Sequence, residues 1–374
     1  MEAYILDAVR TPMGRRDGSF ANVRSDDLGA TCLKAIVDRN PIEAGDIEDV
    51  VMGCVTQTGE QGFDVARMSV LAAGFPISVP GTTVNRLCGS GQQAITFAAQ
   101  GIASGMHDLI IGSGTESMSR VPMGSDGGPL NENILDRFEL IPQGLSAELI
   151  AQKWELDRES LDRLGLESHH RASQATDADY FQREIVPVPI NGHSLSADET
   201  FRRGTSIEKM GSLKPAFKED GLITAGNSSQ ISDGASAMLL ASKKKVEELG
   251  VKPRARIVAT ALSGVDPTLM LTGPIPATRK VLEKTKLTLD DIDLFEVNEA
   301  FASVVLAWQK ETGVPFDKIN VNGGAIALGH PLGASGCRLL TTLLCELERR
   351  DARYGLSTLC IGLGMGIATI IERL

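Results

Sequence analysis

The chain has 374 residues, which is long enough for two or three domains and for a large hydrophobic core. Its 48 acidic residues outnumber the 37 basic ones, and the formal charge of −11 excludes a general attraction to the phosphates of DNA or RNA. The 39 glycines, in a composition that is 42% hydrophobic, predict a globular protein with many tight turns.

The six cysteines argue against a disulfide framework and against a structural metal site. They are widely separated, with no Cys-x-x-Cys pair and no Cys/His cluster at the spacing of zinc ligands. In a chain of this length, such scattered thiols predict reduced cysteines in a cytoplasmic protein. They stand at Cys32, Cys54, Cys88, Cys337, Cys345 and Cys360.

The sequence predicts neither secretion nor membrane insertion. Glu2 and Asp7 stand where a secretion signal would need basic and then apolar residues. The longest apolar run, Leu359–Ile371, has 13 residues and several glycines, whereas a membrane-spanning helix needs about 20 apolar residues.

Short apolar or β-branched runs alternate with helical patterns, which predicts an α/β fold whose helices cover a sheet. The clearest helical patterns are Asp27–Asn40 and Ile275–Thr285. The predicted strands, in chain order, are Tyr4–Val9, Asp49–Gly53, Leu109–Gly114, Arg256–Leu262, Leu294–Val297 and Thr358–Gly362.

The first and last thirds of the chain contain a weak internal repeat. Asp46–Val55 resembles Asp291–Ala300, and each follows a helix by a short acidic turn. Farther along each third, a Val-Asn pair opens a Gly-rich loop that leads into a predicted helix, Gln92–Ser104 in the first and Cys337–Arg349 in the last. Two copies of one βα unit, with their loops meeting at a shared face, explain this pattern.

The stretch between the repeats differs in character. It is rich in Gly, Pro and Asn at first and then contains a charged helical region, Ala147–Ala178. We predict two related core parts, residues 1–118 and 246–374, around an insertion at 119–245. An extra helical domain without a functional role is the alternative for this insertion.

Cys88 lies at the tip of a glycine turn, Leu87-Cys-Gly-Ser-Gly, that opens a predicted helix. A helix N-terminus carries partial positive charge, and its free N–H groups can stabilise a thiolate and later an oxyanion. This context suits a nucleophilic cysteine. It is equally compatible with an inert core thiol, because cysteine is among the most buried residue types.

His330 lies in a Gly-rich loop that ends in Gly329-His-Pro-Leu-Gly. Such a loop needs unusual backbone angles and is a costly way to hold a purely structural histidine, so the pattern favours a functional role. The remaining histidines stand in polar or charged surroundings and are predicted to be surface residues: His107, His169, His170 and His193.

Two further segments place a polar or reactive side chain at the end of a predicted strand. Cys360 precedes the turn Gly362-Leu-Gly, which fits neither the dinucleotide-binding nor the P-loop pattern and therefore does not predict a nucleotide site. Asn298 follows the strand ending at Val297, where a βα loop would present its amide. An asparagine there could equally cap a helix.

Together and in this order, these four segments resemble the motifs of the thiolase family of acyl-CoA C-acyltransferases. The match comprises the Cys88 loop, Asn298-Glu-Ala-Phe, Gly329-His-Pro and the Cys360-Ile-Gly turn. The related decarboxylating ketoacyl synthases have a Cys-His-His pattern instead, which this chain does not match. The resemblance implies an α/β fold with a duplicated βα core in five layers, α-β-α-β-α, and an inserted loop domain.

The resemblance also implies a mechanism. Cys88 attacks a 3-oxoacyl-CoA and becomes acylated, with His330 as the base that activates its thiol. Cys360 protonates the departing acetyl-CoA carbanion, or removes a proton in the reverse direction. One oxyanion site comprises His330 and a water held by Asn298, and the other the backbone N–H groups of Cys88 and Gly362. No metal and no tightly bound cofactor are implied, because coenzyme A enters as a substrate.

In thiolases the inserted region covers coenzyme A, which would give residues 119–245 a function. By resemblance, Ser229 contacts the pantetheine and Arg202 approaches the nucleotide. Thiolases commonly form homodimers or homotetramers, so acyl-CoA, CoA and further copies of the chain are the implied partners.

Two departures from the family pattern bear on the substrate. Thiolases specialised for acetoacetyl-CoA have a His-Met-Gly triplet where this chain has Pro142-Gln-Gly. Neighbouring motifs look closer to thiolases of acyl-CoA or steroid side-chain breakdown. Leu363 stands where the family usually has Gly, which predicts a narrowed or displaced acyl pocket in an active enzyme.

The leading hypothesis is a degradative 3-oxoacyl-CoA thiolase, as in fatty acid β-oxidation. The alternative within the same chemistry is a biosynthetic thiolase that condenses two acetyl-CoA. A noncatalytic, thiolase-like lipid-binding protein is a third hypothesis, and the three reactive side chains argue against it. A nucleotide-dependent oxidoreductase fits the α/β pattern but lacks the fingerprint.

Overall fold

The computed structural model describes residues 2–374, in which twelve strands and twelve α-helices alternate. The strands are β1 (Tyr4–Arg10), β2 (Gly14–Arg15), β3 (Asp49–Gly53), β4 (Thr82–Val84), β5 (Leu109–Ser117), β6 (Val188–Ile190), β7 (His193–Leu195), β8 (Ser232–Ala241), β9 (Ala255–Gly264), β10 (Leu294–Val297), β11 (Tyr354–Ile361) and β12 (Met365–Arg373). The helices are α1 (Ser25–Asp38), α2 (Val65–Ala72), α3 (Ser90–Ser104), α4 (Glu132–Leu135), α5 (Gln143–Lys153), α6 (Arg158–Asp177), α7 (Ile207–Gly211), α8 (Lys243–Leu249), α9 (Pro274–Thr285), α10 (Ala302–Thr312), α11 (Ala325–Leu328) and α12 (Leu332–Arg350).

The main sheet consists of two halves with the same topology. The strand order is β4-β3-β5-β8-β1 in the N-terminal half and β10-β11-β12-β9 in the C-terminal half. A parallel bridge from Phe295 to Ile319 stands where β4 stands in the other half. The halves join where Tyr4 and Ile5 of β1 pair with β9. This order confirms the duplicated core predicted from the internal repeat.

The layers follow the predicted order α-β-α-β-α. Helices α3 and α12 lie in the middle, where they contact each other and strands of both halves. Helix α1 covers the outer face of the N-terminal half, and α9 covers that of the C-terminal half. Separate apolar clusters fill the two outer interfaces and the central one. The apolar faces of the sheets and helices are therefore buried against the neighbouring layers.

The two central helices begin in close contact, and this contact brings the two Gly-rich loops together. A Cβ added to Gly91, in the first turn of α3, would lie 2.6 Å from the carbonyl oxygen of Gly333, in the first turn of α12. Only glycine allows backbones to approach this closely. The loops that carry Cys88 and His330 therefore open onto one face, as the repeat predicts.

Between β5 and β8 the chain leaves the sheet and forms α4 to α7 and the hairpin of β6 and β7. The predicted helical region 147–178 is divided into α5 and α6 by a break after Lys153. Strand β8 lies inside the predicted insertion 119–245 yet pairs with β1 and β5 of the N-terminal half. The division at 118 and 245 stays a prediction, and the last part of the insertion so defined lies in the core sheet. Within residues 2–374, no helix is both long and apolar enough to cross a bilayer.

Candidate active site

Cys88 lies in a tight turn between β4 and α3 that hydrogen bonds hold from several sides. The Ser90 hydroxyl donates to the Leu87 carbonyl at 2.6 Å and accepts the Arg86 N–H at 2.8 Å. Leu87 has a φ of 47°, a left-handed conformation that costs energy in a residue with a side chain and persists only when its surroundings fix it. The turn thus holds the thiol, which is 4% exposed, at the start of a helix.

Several groups act on the Cys88 sulfur in opposite directions. Burial raises the pKa of the Cys88 thiol above its ordinary value. Hydrogen bonds from the backbone N–H groups of Gly362 and Cys88 lower this pKa, the charge of Glu116 raises it, and the side chain of Gln143 lowers it. The net direction is upward, so the resting sulfur is a thiol that needs a base.

His330 lies just before α12, and its ring is held at both nitrogens. Nδ1 lies 2.5 Å from Ser335 Oγ, and the same hydroxyl donates to the Pro331 carbonyl at 2.8 Å. Because the only hydrogen of this hydroxyl is donated to the Pro331 carbonyl, its oxygen must accept the hydrogen bond from Nδ1–H of His330. Nε2 is therefore unprotonated, and it accepts from Asn298 Nδ2 at 3.3 Å. The structure thus fixes the tautomer in which Nε2 can take up a proton.

Burial and charge both keep this imidazole neutral. Burial lowers the pKa of His330 to about 3, and the positive charge of Arg338 adds to the effect. Asn298 is buried as well, and its Oδ1 has no hydrogen-bond partner within residues 2–374. A neutral imidazole beside a free amide oxygen can accept a proton and orient a small polar molecule.

Cys360 and Gly362 lie next to the Cys88 turn. A Cβ on Gly89 would come within 2.5 Å of Ile361 Cδ1, which shows how tightly the end of β11 packs against this turn. Burial, and then repulsion from the charge of Cys88, raise the pKa of the Cys360 thiol well above its ordinary value. Cys360 is therefore a protonated thiol at neutral pH.

Leu363 keeps the backbone shape of the turn that follows Cys360. Its φ of 61° is the left-handed conformation that glycine favours, and its side chain is 54% exposed. With Leu363 in this conformation, the Gly362 N–H still donates to Cys88. The narrowing of the acyl pocket predicted from Leu363 stays a prediction.

Of the two residues assigned to coenzyme A, only Arg202 lines the neighbouring cavity. This cavity of 360 Å³ lies in the inserted region and is also lined by His169, Lys209 and Gln230, with no acidic residue among its lining residues. Ser229 precedes Gln230 but does not line this cavity, and its backbone N–H donates to the Ala300 carbonyl at 2.9 Å. The structure thus joins Cys88 to Gly362 and Cys360, and His330 to Asn298. The two groups meet where Cys88 packs with Leu332, two residues after His330, and the cavity of Arg202 lies in the inserted region.

The prediction that His169 is a surface residue is wrong. Its ring is 4% exposed, and its Nδ1 accepts the backbone N–H of Arg202 at 3.1 Å. His169 lies on the buried face of α6 with Asp162, Gly165 and Ala172, at helical spacings of three and four residues. The small residues at these spacings indicate a buried face of the helix, although charged residues of the outer face lie between them in the sequence. His170 and His193 are exposed, as predicted, and His107 is partly buried.

Replacing His169 with asparagine, which keeps an acceptor for Arg202, should remove part of the acid sensitivity of the fold. Burial, together with the charge of Arg202, lowers the pKa of His169 to about 4, whereas an unfolded histidine titrates near about 6.5. The unfolded chain therefore binds a proton first, and stability is lost as the pH falls from about 6.5 toward 4. Between pH 7 and pH 5 we expect the wild type to lose about 2 kcal/mol more than His169→Asn.

The measurement is the free energy of unfolding in urea at both pH values. His193→Asn, at an exposed position, is the matched control and should behave as the wild type. Equal pH dependence in the wild type and in His169→Asn would contradict the prediction.

Sequence reasoning missed Ser335 and Glu116. Ser335 fixes the ring of His330 from the first turn of α12, a contact that its spacing of five residues could have suggested. The buried Glu116 carboxylate accepts N–H groups of Val55 and Thr56 at 2.9 and 3.0 Å and that of Gly333 at 2.8 Å. It thereby joins the loop after β3 to the start of α12, and nothing local in the sequence indicates this.

The site has the features of enzymes that carry a group on a cysteine: a thiol at a helix start, two convergent backbone donors, a neutral histidine and a second thiol. Within residues 2–374, no three side chains of His, Cys, Asp or Glu cluster closely enough to hold a metal ion.

Comparisons with known proteins identify the family. The model of the thiolase N-terminal domain matches residues 3–244, and that of the thiolase C-terminal domain matches residues 251–373. The chain belongs to the thiolase family. It is 50% identical to the steroid 3-ketoacyl-CoA thiolase FadA6 of Mycobacterium tuberculosis, over 100% of this chain and 94% of that protein. It is 47% identical to a 3-ketoacyl-CoA thiolase of Klebsiella pneumoniae, over 100% and 99%.

A solved structure agrees with this assignment. The crystal structure of the Bacillus anthracis acetyl-CoA acetyltransferase superposes with a TM-score of 0.93 at 38% identity, covering 100% of this chain and 99% of that one. The fold class predicted from the resemblance is thereby confirmed.

Proposed function

We propose that the protein is a thiolase that cleaves 3-oxoacyl-CoA with CoA into acetyl-CoA and a shortened acyl-CoA. The observation that carries the proposal is the match over the whole chain to relatives named 3-ketoacyl-CoA thiolase, at 47 to 50% identity. The arrangement of Cys88, His330 and Cys360 supports it, because each step of that reaction has a side chain in place.

In the first half of the proposed reaction, Cys88 attacks the ketone carbon. His330 Nε2 takes the thiol proton, which the tautomer fixed by Ser335 permits. The bond between C2 and C3 of the substrate breaks, and the acetyl-CoA carbanion takes its proton from the Cys360 thiol. The acyl group remains on Cys88, with its oxygen near the backbone N–H groups of Cys88 and Gly362.

In the second half, the incoming CoA thiol restores the starting state. It gives its proton to the Cys360 thiolate and attacks the acyl group on Cys88. The Cys88 thiolate leaves and recovers its proton from the His330 imidazolium. All protons balance, and the steps use only side chains and the CoA substrate.

Asn298 is proposed to hold a water molecule. This water and His330 stabilise, by hydrogen bonds, the negative charge that develops on the substrate's thioester oxygen. This proposal rests on the buried Oδ1, which lacks a protein partner, and on the contact of Nδ2 with the imidazole. A thioester-stabilised carbanion needs such donors, because its charge develops on that oxygen.

We propose the cavity beside Arg202 as the position of the CoA nucleotide. Arg202 and Lys209 give this cavity a positive lining in a chain whose formal charge is −11, which favours phosphates locally. Ser229, whose backbone N–H is bonded to the Ala300 carbonyl, is kept as a proposed pantetheine contact.

A homodimer, or a tetramer built from it, is proposed from the edge of the N-terminal half-sheet. Strand β4 is an edge strand, and Phe63 and Ile77 before it are 97% and 85% exposed. Large exposed apolar side chains beside an open edge mark an interface. Sedimentation at micromolar concentration tests this, and a monomer would contradict it.

A cytoplasmic location is proposed from the six free cysteines.

The substrate test compares thiolysis of acetoacetyl-CoA with that of 3-oxooctanoyl-CoA and 3-oxodecanoyl-CoA. We expect a higher kcat/KM for the longer substrates. A preference for acetoacetyl-CoA would favour instead the second candidate, a thiolase that condenses two acetyl-CoA; the neighbour of known structure is named an acetyl-CoA acetyltransferase.

Mass spectrometry of the trapped intermediate tests the chemistry itself. Wild-type protein mixed with acetyl-CoA should gain one acetyl group on the peptide that contains Cys88, and Cys88→Ala should gain none. Full thiolysis by Cys88→Ala would contradict the covalent mechanism.

A further inference from the structure

One side chain of the inserted region lies beside the turn that carries Cys88 and has no part in the mechanism above. Gln143 is the first residue of α5 and is half-buried. A Cβ added to Gly362 would lie 3.0 Å from Gln143 Nε2 and 3.2 Å from Leu87 Cδ1. The amide nitrogen therefore lies over the turn whose N–H points at the sulfur.

The backbone around Gln143 is fixed from behind. A Cβ on Gly144 would overlap the ring of Phe217, which packs edge to face against Phe301 with 5.8 Å between ring centroids. Ser146 Oγ donates to the Leu269 carbonyl at 2.9 Å. These contacts tie the start of α5 to the start of α10 and to the chain before α9, so the backbone at Gln143 is held in place.

The Gln143 amide also has no competing partner. The Gln143 side chain is one of the groups that lower the pKa of the Cys88 thiol, and no other side chain within residues 2–374 competes for this amide. A half-buried amide held beside a thiol, with N–H groups to donate, is placed to stabilise the charged form of that thiol.

We propose that Gln143 is a catalytic residue of the insertion, which donates a hydrogen bond from Nε2 to Cys88 Sγ and stabilises the thiolate that attacks the substrate. The proposal rests on the proposed function in so far as Cys88 is the nucleophile. It gives the inserted region a role in the chemistry as well as over coenzyme A. Gln143 becomes a third donor to the sulfur, after the backbone N–H groups of Cys88 and Gly362.

Alkylation of Cys88 by iodoacetamide tests this without any substrate. The thiolate is the reacting form, so the rate as a function of pH reports its population. Methionine has nearly the length of glutamine but no donor. In Gln143→Met we expect alkylation of the Cys88 peptide to be about tenfold slower at pH 7 and to approach the wild-type rate at high pH. The ionisable groups around the sulfur, Glu116, Cys360 and the proposed base His330, are the same in both proteins.

The control is Gln152→Met, the same change at an exposed position of α5, which should match the wild type. Gln143→Leu is a second donor-free variant, and circular dichroism shows whether each variant is folded. An unchanged pH profile in the folded Met and Leu variants would overturn the proposal. So would a slowing by the same factor at every pH, since that indicates altered access to the thiol.

The outcome is separable from that of the proposed function. If the wild type fails to cleave 3-oxoacyl-CoA but Gln143→Met shifts the alkylation profile, the donor role stands and the thiolase assignment falls. If thiolysis is present and the profile does not move, only the donor role falls.

Discussion

His330→Ala should slow the acetylation of Cys88 by acetyl-CoA by about 10²- to 10⁴-fold, because general base catalysis contributes a factor of this order. The thiol of Cys88 has a pKa above its ordinary value, so little thiolate forms without a base. No other side chain in the site offers an unprotonated nitrogen held by two hydrogen bonds within residues 2–374. Rapid-quench mass spectrometry of the Cys88 peptide measures the rate.

Ser335→Ala provides a graded comparison, because it keeps the imidazole but removes the acceptor that fixes its tautomer. We expect a loss of about five- to tenfold, the effect of one hydrogen bond. His170→Ala, at an exposed position of α6, should have the wild-type rate. If His330→Ala acetylates as fast as His170→Ala, another group is the base and the assignment fails.

The residues that could be predicted from the sequence are those whose environment is built locally. Cys88 lies in a turn that its neighbours Leu87 and Ser90 hold by a hydrogen bond. A Gly-rich run before a helix predicts such a turn. His330 is likewise announced by the glycines of its own loop. The duplicated core could be predicted for the same reason, since each βα unit is contiguous in the chain.

The contacts that could not be predicted join residues far apart in sequence. Glu116 and Gly333 are separated by 217 positions, and their hydrogen bond exists only because the two halves stack on α3 and α12. His169 was misjudged because the outer face of α6 is charged, while the face that decides its burial meets the Arg202 loop. Gln143 lies beside Gly362 only because the insertion folds over the core.

Cys360→Ala should separate the two kinds of bond that the enzyme breaks. With acetyl-CoA, acylation of Cys88 releases CoA, whose thiolate is a good leaving group even when Cys360 is absent and cannot protonate it. With a 3-oxoacyl-CoA, the leaving group is a carbanion that takes a proton in the same step. We therefore expect Cys360→Ala to form acetyl-Cys88 within about tenfold of the wild-type rate, while thiolysis of 3-oxoacyl-CoA falls by about 10²- to 10⁴-fold.

The raised pKa of Cys360 is consistent with this role, because a buried thiol next to the charge of Cys88 remains protonated until a strong base such as the carbanion arrives. Cys32→Ala, the same change at a fully buried position in α1, controls for the loss of a core sulfur and should keep both activities. Thiolysis at the wild-type rate in Cys360→Ala would remove this cysteine from the mechanism. If acetylation and thiolysis were lost together, Cys360 would act on Cys88 itself, and the proton donor for the carbanion would have to be sought in another group of the site.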